Sequence, residues 1–148
     1  MSQIIGTQPG ADSKMSEEKI KAYQKFANKL WNITRFVLTS NEEKQDGPLL
    51  SDDQAKIDEI NLLAKEITDD IDNFRLHLAG EKLYHYVWHR FADVIIEDSK
   101  KGLVSNKALQ TLLETSLTLL HPFMPFITEE IWQSMDKKSL LMIEKWPV

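Results

Sequence analysis

Apolar residues recur every three or four positions through most of this chain, and that spacing restricts the possible fold more than any other feature. It is the period of an amphipathic α-helix that buries one face. No stretch of alternating apolar and polar residues reaches strand length before the last ten residues. The pattern therefore predicts an all-α protein.

The apolar stripes and their flanking turn residues predict four longer helices and a short fifth one. Short connections between such helices favour an up-and-down bundle. A first helix of about 24 residues spans roughly 36 Å, so we expect an elongated bundle with a mostly buried fourth helix. The expected helices are Glu17 to Ser40, Asp52 to Phe74, Leu78 to Lys101, Asn106 to Leu120 and Phe126 to Met135.

The domain organisation expected from these signals is a single helical domain over residues 15–136. Residues 1–14 contain glycine and proline and are predicted to be a linker or lead-in. Residues 137–148 are predicted to be a C-terminal tail, with Leu140 to Ile143 extended. In the segment before it, both Phe126 and Trp132 are expected to pack into the core.

Composition excludes several classes of protein. The chain has 148 residues and no cysteine, which rules out disulfides, thiol catalysis and thiolate metal sites. No glycine pattern suits a phosphate-binding loop, and no apolar run approaches the ~20 residues that cross a bilayer. We therefore expect no membrane association, no cofactor in this chain and a cytoplasmic location.

The net charge of −5 conceals two oppositely charged segments. Residues 14–36 carry six basic and two acidic side chains, whereas residues 42–72 carry eleven acidic and three basic ones. Because salt screens charges over roughly 8 Å, a partner responds to the local surface more than to the sum. The first helix can therefore meet a polyanion despite the acidic total.

One face of the first helix carries Lys25, Lys29, Asn32 and Phe36 at positions i, i+4, i+7 and i+11. Lysine binds phosphate, asparagine can read a base edge, and an aromatic ring stacks on an unstacked base, a combination that suits single-stranded loop RNA. Arg35 is a further candidate contact. The alternative is that Phe36 turns into the bundle and the lysines are merely solvated.

Neither a metal site nor a catalytic site is predicted. His85 and His89 lie one turn apart with Glu81 and Asp93 on the same face, but zinc sites normally draw ligands from more than one element. A solvated polar stripe is the simpler interpretation. No serine or acidic pair has the spacing of a nucleophile or an acid–base dyad.

Three segments together resemble the anticodon-binding domain of class I valyl-tRNA synthetases. The segment from Phe26 to Leu38 resembles the opening helix of that domain, and the segment from His121 to Trp132 resembles a segment late in the same domain. Leu83 to Ser99 resembles the family's helix that ends in Ile-Glu-x-Ser, and the final Trp146-Pro147 is similar as well. The resemblance covers roughly residues 10–148.

The resemblance implies a helical bundle that grips the anticodon stem-loop of tRNA(Val), beside a catalytic domain that uses ATP and Mg²⁺. It assigns anticodon contacts to Lys29 and Phe36, whereas Lys25, Asn32 and Arg35 rest on geometry alone. This sequence has no HIGH motif and no KMSKS motif, and alanine replaces the usual arginine at Ala11. We therefore expect a monomer without ligase activity of its own. A leucyl- or isoleucyl-type domain and a freestanding interaction module remain alternatives.

Overall fold

The computed structural model describes residues 17–43 and 48–148, and within these ranges it contains helices and no strand, as predicted. The predicted linker, residues 1–14, lies outside the described residues. The elements are α1 (Glu17–Glu43), α2 (Asp53–Asp72), α3 (Leu76–His85), a π-helical segment (Tyr86–Ile95), α4 (Ile96–Lys100), α5 (Asn106–Leu120), α6 (Pro125–Ser134) and a 3₁₀ turn (Leu141–Ile143).

The third predicted helix is a single long element with an unexpected centre. α3, the π-helical segment and α4 follow one another without a break, since His85 and Ile96 at the junctions both keep helical backbone angles. We call this element the composite helix. A uniform α-helix was expected here, so the π-helical geometry of its middle ten residues is a correction. The helix ends at Lys100, one residue before the predicted end, and Gly102 just beyond it has a positive φ of 77°, which suits glycine.

Side chains at one end of the bundle join the helix termini. The Ser105 hydroxyl accepts a hydrogen bond from the Ala108 amide at 3.2 Å and thereby caps the start of α5. The buried carboxylate of Asp53, at the start of α2, accepts a bond from the Ser105 amide. The Asn106 side-chain amide donates to the Ser40 carbonyl near the end of α1 at 2.8 Å. The end of α1 and the starts of α2 and α5 therefore meet.

Contacts between helices define an up-down-up-down order. Tyr23 contacts Tyr84 and Lys29 contacts Asp93, so α1 and the composite helix run parallel. On the other side of the composite helix, α2 runs antiparallel to it. The pairs there are Glu59 with Arg90 and Glu66 with Lys82, in opposite order along the two helices.

α5 forms the centre of the core, as the sequence predicted. Its leucines are buried on more than one side because α1, α2 and α6 all pack against it. None of the described helices is both long enough and apolar enough to span a bilayer. The fully buried leucines of α5 are Leu109, Leu112, Leu113, Leu117, Leu119 and Leu120.

The C-terminal region confirms one expectation and corrects two. Trp132 is buried, and its indole N–H donates to the Ser139 carbonyl at 3.0 Å. Phe126, expected in the core, is 91% exposed, because its face of α6 is shared with Glu129, Glu130 and Gln133. The segment expected to be extended forms the 3₁₀ turn instead, and the boundaries of the predicted tail stay a prediction.

Candidate nucleic-acid interface

The predicted stripe on α1 lies along the edge of its contact with the composite helix. Lys25 and Asn32 are exposed, whereas Lys29 and Phe36 are partly buried. Core residues such as Leu30 and Val37 occupy a different side of α1, which anchors the helix and fixes the direction of the stripe. Four of the predicted residues therefore share one rim of the bundle.

Lys29 is held by two partners on the composite helix. Its Nζ atom lies 2.8 Å from a carboxylate oxygen of Asp93 and 4.9 Å from the centre of the Trp88 ring. The hydrogen bond from Lys29 is the main reason that the pKa of Asp93 lies below its ordinary value. The Lys29 side chain is still 31% exposed. A phosphate approaching from solvent can therefore reach the ammonium group.

A row of aromatic rings supports Lys29 from below. The Tyr84 ring stacks on Phe26 with 5.0 Å between ring centres, and on Trp88 with 5.7 Å. Such stacked pairs add to the energy of burial and hold the rings in fixed orientations. The rigid row keeps the Lys29 ammonium group at the protein surface.

Phe36 is partly buried and packs against the hydrophobic core. The alternative that Phe36 turns into the bundle therefore holds in part. The Nζ atom of Lys100, near the end of the composite helix, lies 5.8 Å from the centre of the Phe36 ring. Only the outer part of the ring is available to a base. Phe36 consequently combines a packing role with an aromatic surface next to a cation.

Arg35 lies apart from the other predicted contacts. It precedes Phe36 by one residue and so projects about 100° away around the helix. The side chain is exposed. Arg35 can add positive potential to α1, but the structure does not bring it together with Lys29.

The two histidines of the composite helix form a local pair rather than a metal centre. Their ring centres are 5.5 Å apart, and His89 Nδ1 lies 3.6 Å from the second carboxylate oxygen of Asp93. Within the described ranges, no group of three or more potential ligands is arranged to hold a metal ion.

The acidic pair Asp69 and Asp70 has a structural role. Burial opposes ionisation of Asp70, but hydrogen bonds from Lys82 and Arg75 outweigh it and hold its pKa below the ordinary value. Asp69 pairs with the same arginine. Both carboxylates are thus paired with cations. Neither is available as the acid or the base of a catalytic dyad.

Sequence reasoning missed the contribution of the composite helix to this rim. Tyr84 and Trp88 supply its aromatic row, Asp93 holds Lys29, and Lys100 approaches Phe36. The i, i+4 spacing of Tyr84 and Trp88 places them on one helix face, but it does not show that this face meets α1. Asp93 lies 64 residues from Lys29 in the sequence, and Lys100 lies 64 residues from Phe36, beyond the reach of any local pattern.

Comparison with protein families gives a match over most of the described chain. The family model described as the anticodon-binding domain of tRNA ligase matches residues 53–148. This region includes α2, the composite helix, α5 and α6. The α1 stripe lies outside the matched region.

Similarity to individual proteins extends over α1 as well. The chain is 38% identical to a valine–tRNA ligase of Thermotoga maritima, with 93% of this chain and 17% of that protein aligned. It is 40% identical to one of Petrotoga mobilis, over 93% of this chain and 18% of that protein. It is 36% identical to a valine–tRNA ligase of Clostridium acetobutylicum, over 97% of this chain and 18% of that protein. The chain thus spans less than a fifth of the length of these three relatives.

A solved structure shares the fold. The LeuRS chain in a ternary complex of LeuRS, tRNA and LeuAMS from Agrobacterium radiobacter K84 superimposes with a TM-score of 0.77. The alignment covers 98% of this chain and 19% of that chain at 20% identity.

Proposed function

Because this chain belongs to the anticodon-binding domain family of tRNA ligases, we propose that it holds the anticodon stem-loop of tRNA(Val). The valine specificity rests on the similarity to valine–tRNA ligases and on the segment from Phe26 to Leu38 in α1. The attachment of valine belongs to a catalytic domain outside this sequence, which would supply the ATP and Mg²⁺ chemistry. In this proposal the chain is monomeric, cytoplasmic and inactive as a ligase on its own.

The observation that carries the proposal is the position of Lys29 and Phe36 on one rim, about 10 Å apart along α1. Each residue presents a cation beside an aromatic ring, as Lys29 over Trp88 and Lys100 over Phe36. RNA loops are recognised by this combination, because phosphates meet cations while unstacked bases meet rings. The rim therefore offers two adjacent places for nucleotides.

The ion pair between Lys29 and Asp93 does not prevent this role. Exposed ion pairs contribute little to stability, so a phosphate can replace the carboxylate at small cost. In the free protein the carboxylate competes with a phosphate for the Lys29 ammonium group, while the Trp88 ring beside that group supports the side chain at the rim. Lys29 is thereby positioned for RNA rather than removed from it.

The test compares a tRNA(Val) anticodon stem-loop with a scrambled-loop hairpin, each at two salt concentrations. Replacing Lys29 by alanine should weaken binding and lower the salt slope by about 0.7–0.9 if the residue contacts a phosphate. If Lys29 reads a base edge, the loss should be confined to the cognate loop. Phe36→Leu should cost up to ~1–3 kcal/mol of binding with little salt dependence, because it removes the stacking ring.

Lys65→Ala is the matched control, since Lys65 is an exposed lysine on α2. It should leave both hairpins bound as by the wild-type chain. Equal losses for Lys29→Ala and Lys65→Ala would contradict the proposed rim. Preference for a leucine or isoleucine anticodon loop would favour one of those relatives instead, and absence of binding to any hairpin would favour an interaction module.

A further inference from the structure

A pocket opens between the first half of α1 and α3, next to the rim that carries Lys29. Its volume is about 420 Å³, within the roughly 300–1,000 Å³ of small-molecule sites. Aromatic, cationic and acidic side chains are combined in its walls. The lining residues are Lys19, Ala22, Tyr23, Glu81, Tyr84 and His85.

The aromatic walls of this pocket have fixed relative orientations. The Tyr23 and Tyr84 rings meet edge to face, with centres 6.2 Å apart and an angle of 72° between their planes. His85 meets Tyr84 in the same manner, at 6.0 Å and 88°. A flat ligand inserted among these rings finds both ring faces and ring edges.

The pocket and the Lys29 site share one structural support. Tyr84 lines the pocket and also stacks on Trp88, above which the Lys29 ammonium group lies. Along α1, Tyr23 and Lys29 are six residues apart, or about 9 Å. A single strand that contacts Lys29 is therefore close enough to place a neighbouring base in the pocket.

Glu81 gives the pocket a chemical preference. Burial raises the pKa of Tyr23, and the nearby Tyr84 and Glu81 raise it further, so the Tyr23 hydroxyl keeps its proton. The Glu81 carboxylate accepts hydrogen bonds, as from the amino group of cytosine or adenine. It repels the carbonyl oxygen that uracil presents at the same position. Lys19 in the lining supplies positive charge for the phosphate.

We propose that this pocket binds one unstacked nucleobase that carries an exocyclic amino group, in the same RNA that contacts Lys29. The inference rests on the proposed RNA-binding function and assigns it a second subsite. One of the two rings, Tyr23 or Tyr84, stacks on the base and the other meets its edge, while Glu81 selects bases with an amino donor.

The first arm of the experiment uses free nucleotides as probes. CMP, AMP and UMP are titrated into the chain, and binding is followed by NMR shifts of the two tyrosine rings. CMP and AMP should bind at least threefold more tightly than UMP. Glu81→Gln should reduce this difference, because the amide offers a donor as well as an acceptor.

The second arm measures binding of the stem-loop to the same variants. Tyr23→Leu and Glu81→Gln should each weaken the wild-type interaction severalfold. The matched control is Asp58→Asn, which also removes one negative charge but lies on α2, outside the pocket. It should not weaken binding in either arm.

The two arms separate failure of the pocket from failure of the proposed function. Stem-loop binding that depends on Lys29 but not on Tyr23 or Glu81, with no preference among the nucleotides, would overturn the pocket alone. Loss of stem-loop binding for the wild-type chain would overturn the proposed function. In that case the nucleotide arm still decides whether the pocket selects an amino-bearing base.

Discussion

The two sides of the composite helix both carry ion pairs, but the pairs differ in kind. Facing α2, the Arg90 guanidinium makes a two-pronged contact with Glu59 at 2.8–2.9 Å. Facing α1, Lys29 makes one short contact with Asp93. Arginine in a two-pronged pair is fixed in direction, whereas lysine acts as a point charge that can change partner.

Burial strengthens the contrast. On the α2 side, the Asp70 side chain is only 4% exposed and pairs with both Lys82 and Arg75, while Asp93 on the α1 side is 46% exposed. A buried carboxylate cannot lose its partners without a large penalty, but an exposed one can be solvated by water. The α2 side is consequently suited to stability and the α1 side to exchange with a ligand.

The largest effect should follow removal of the buried carboxylate. Asp70→Ala leaves Lys82 and Arg75 without their shared partner and should lower the free energy of unfolding by about 2–3 kcal/mol. The expected loss is smaller than for an ion pair with fully buried cations, because the Lys82 and Arg75 side chains are both more than a third exposed. Urea denaturation measures the loss. Asp93→Ala is the matched change on the α1 side, and an equal loss there would remove the distinction.

The pH dependence of stability should also differ between the two carboxylates. The pKa of Asp70 is depressed in the folded chain, so its contribution is present above the unfolded pKa near 4 and is lost as pH falls through the folded value. The stability difference between wild type and Asp70→Asn should therefore be constant at neutral pH and shrink below about pH 4. Melts from pH 7 to pH 2 test this, and a gap that stays unchanged from pH 7 down to pH 2 would contradict it.

Replacing arginine by lysine in one pair and lysine by arginine in the other should have a smaller and more specific effect. Arg90→Lys keeps the charge but cannot form the two-pronged contact with Glu59, and it should cost about 1 kcal/mol of stability. The reciprocal change on the other side, Lys29→Arg, should leave the denaturation midpoint unchanged. Similar losses for both changes would mean that the Lys29 pair is structural too.

The smallest effect is expected at Tyr86, on the composite helix near Glu59 and Arg90. Burial raises the pKa of Tyr86, and its hydroxyl has no hydrogen-bond partner among the described residues. Tyr86→Phe removes this group at little cost and should change stability by between zero and a gain of about 1 kcal/mol. A clear loss in thermal melts would indicate that the hydroxyl has a partner in solution.

Local signals in the sequence were sufficient for most helix limits. α5 was predicted with its observed bounds because Ser105 caps its start and Pro122 prevents continuation of the helix. The π-helical segment was not predictable, since its residues have ordinary helical periodicity. Phe126 was expected in the core, but Glu129, Glu130 and Gln133 lie on the same face of α6 and keep this face at the surface.

The candidate site was only half visible in the sequence. The α1 stripe follows from helical spacing, so Lys25, Lys29, Asn32 and Phe36 were found together. Asp93, Trp88 and Lys100 come from a helix that pairs with α1 through tertiary packing. Their roles depend on the relative register of two helices, which the spacing within either helix does not determine.

The most direct test of the exchangeable pair is the affinity of Asp93→Asn for the tRNA(Val) anticodon stem-loop. This change frees Lys29 and should tighten binding about two- to fivefold, with a steeper salt dependence and an unchanged urea midpoint. Asp58→Asn, which also removes one negative charge but lies on α2, should tighten binding less. Equal effects of the two variants, or weaker binding by Asp93→Asn, would contradict the assignment of the α1 side to RNA.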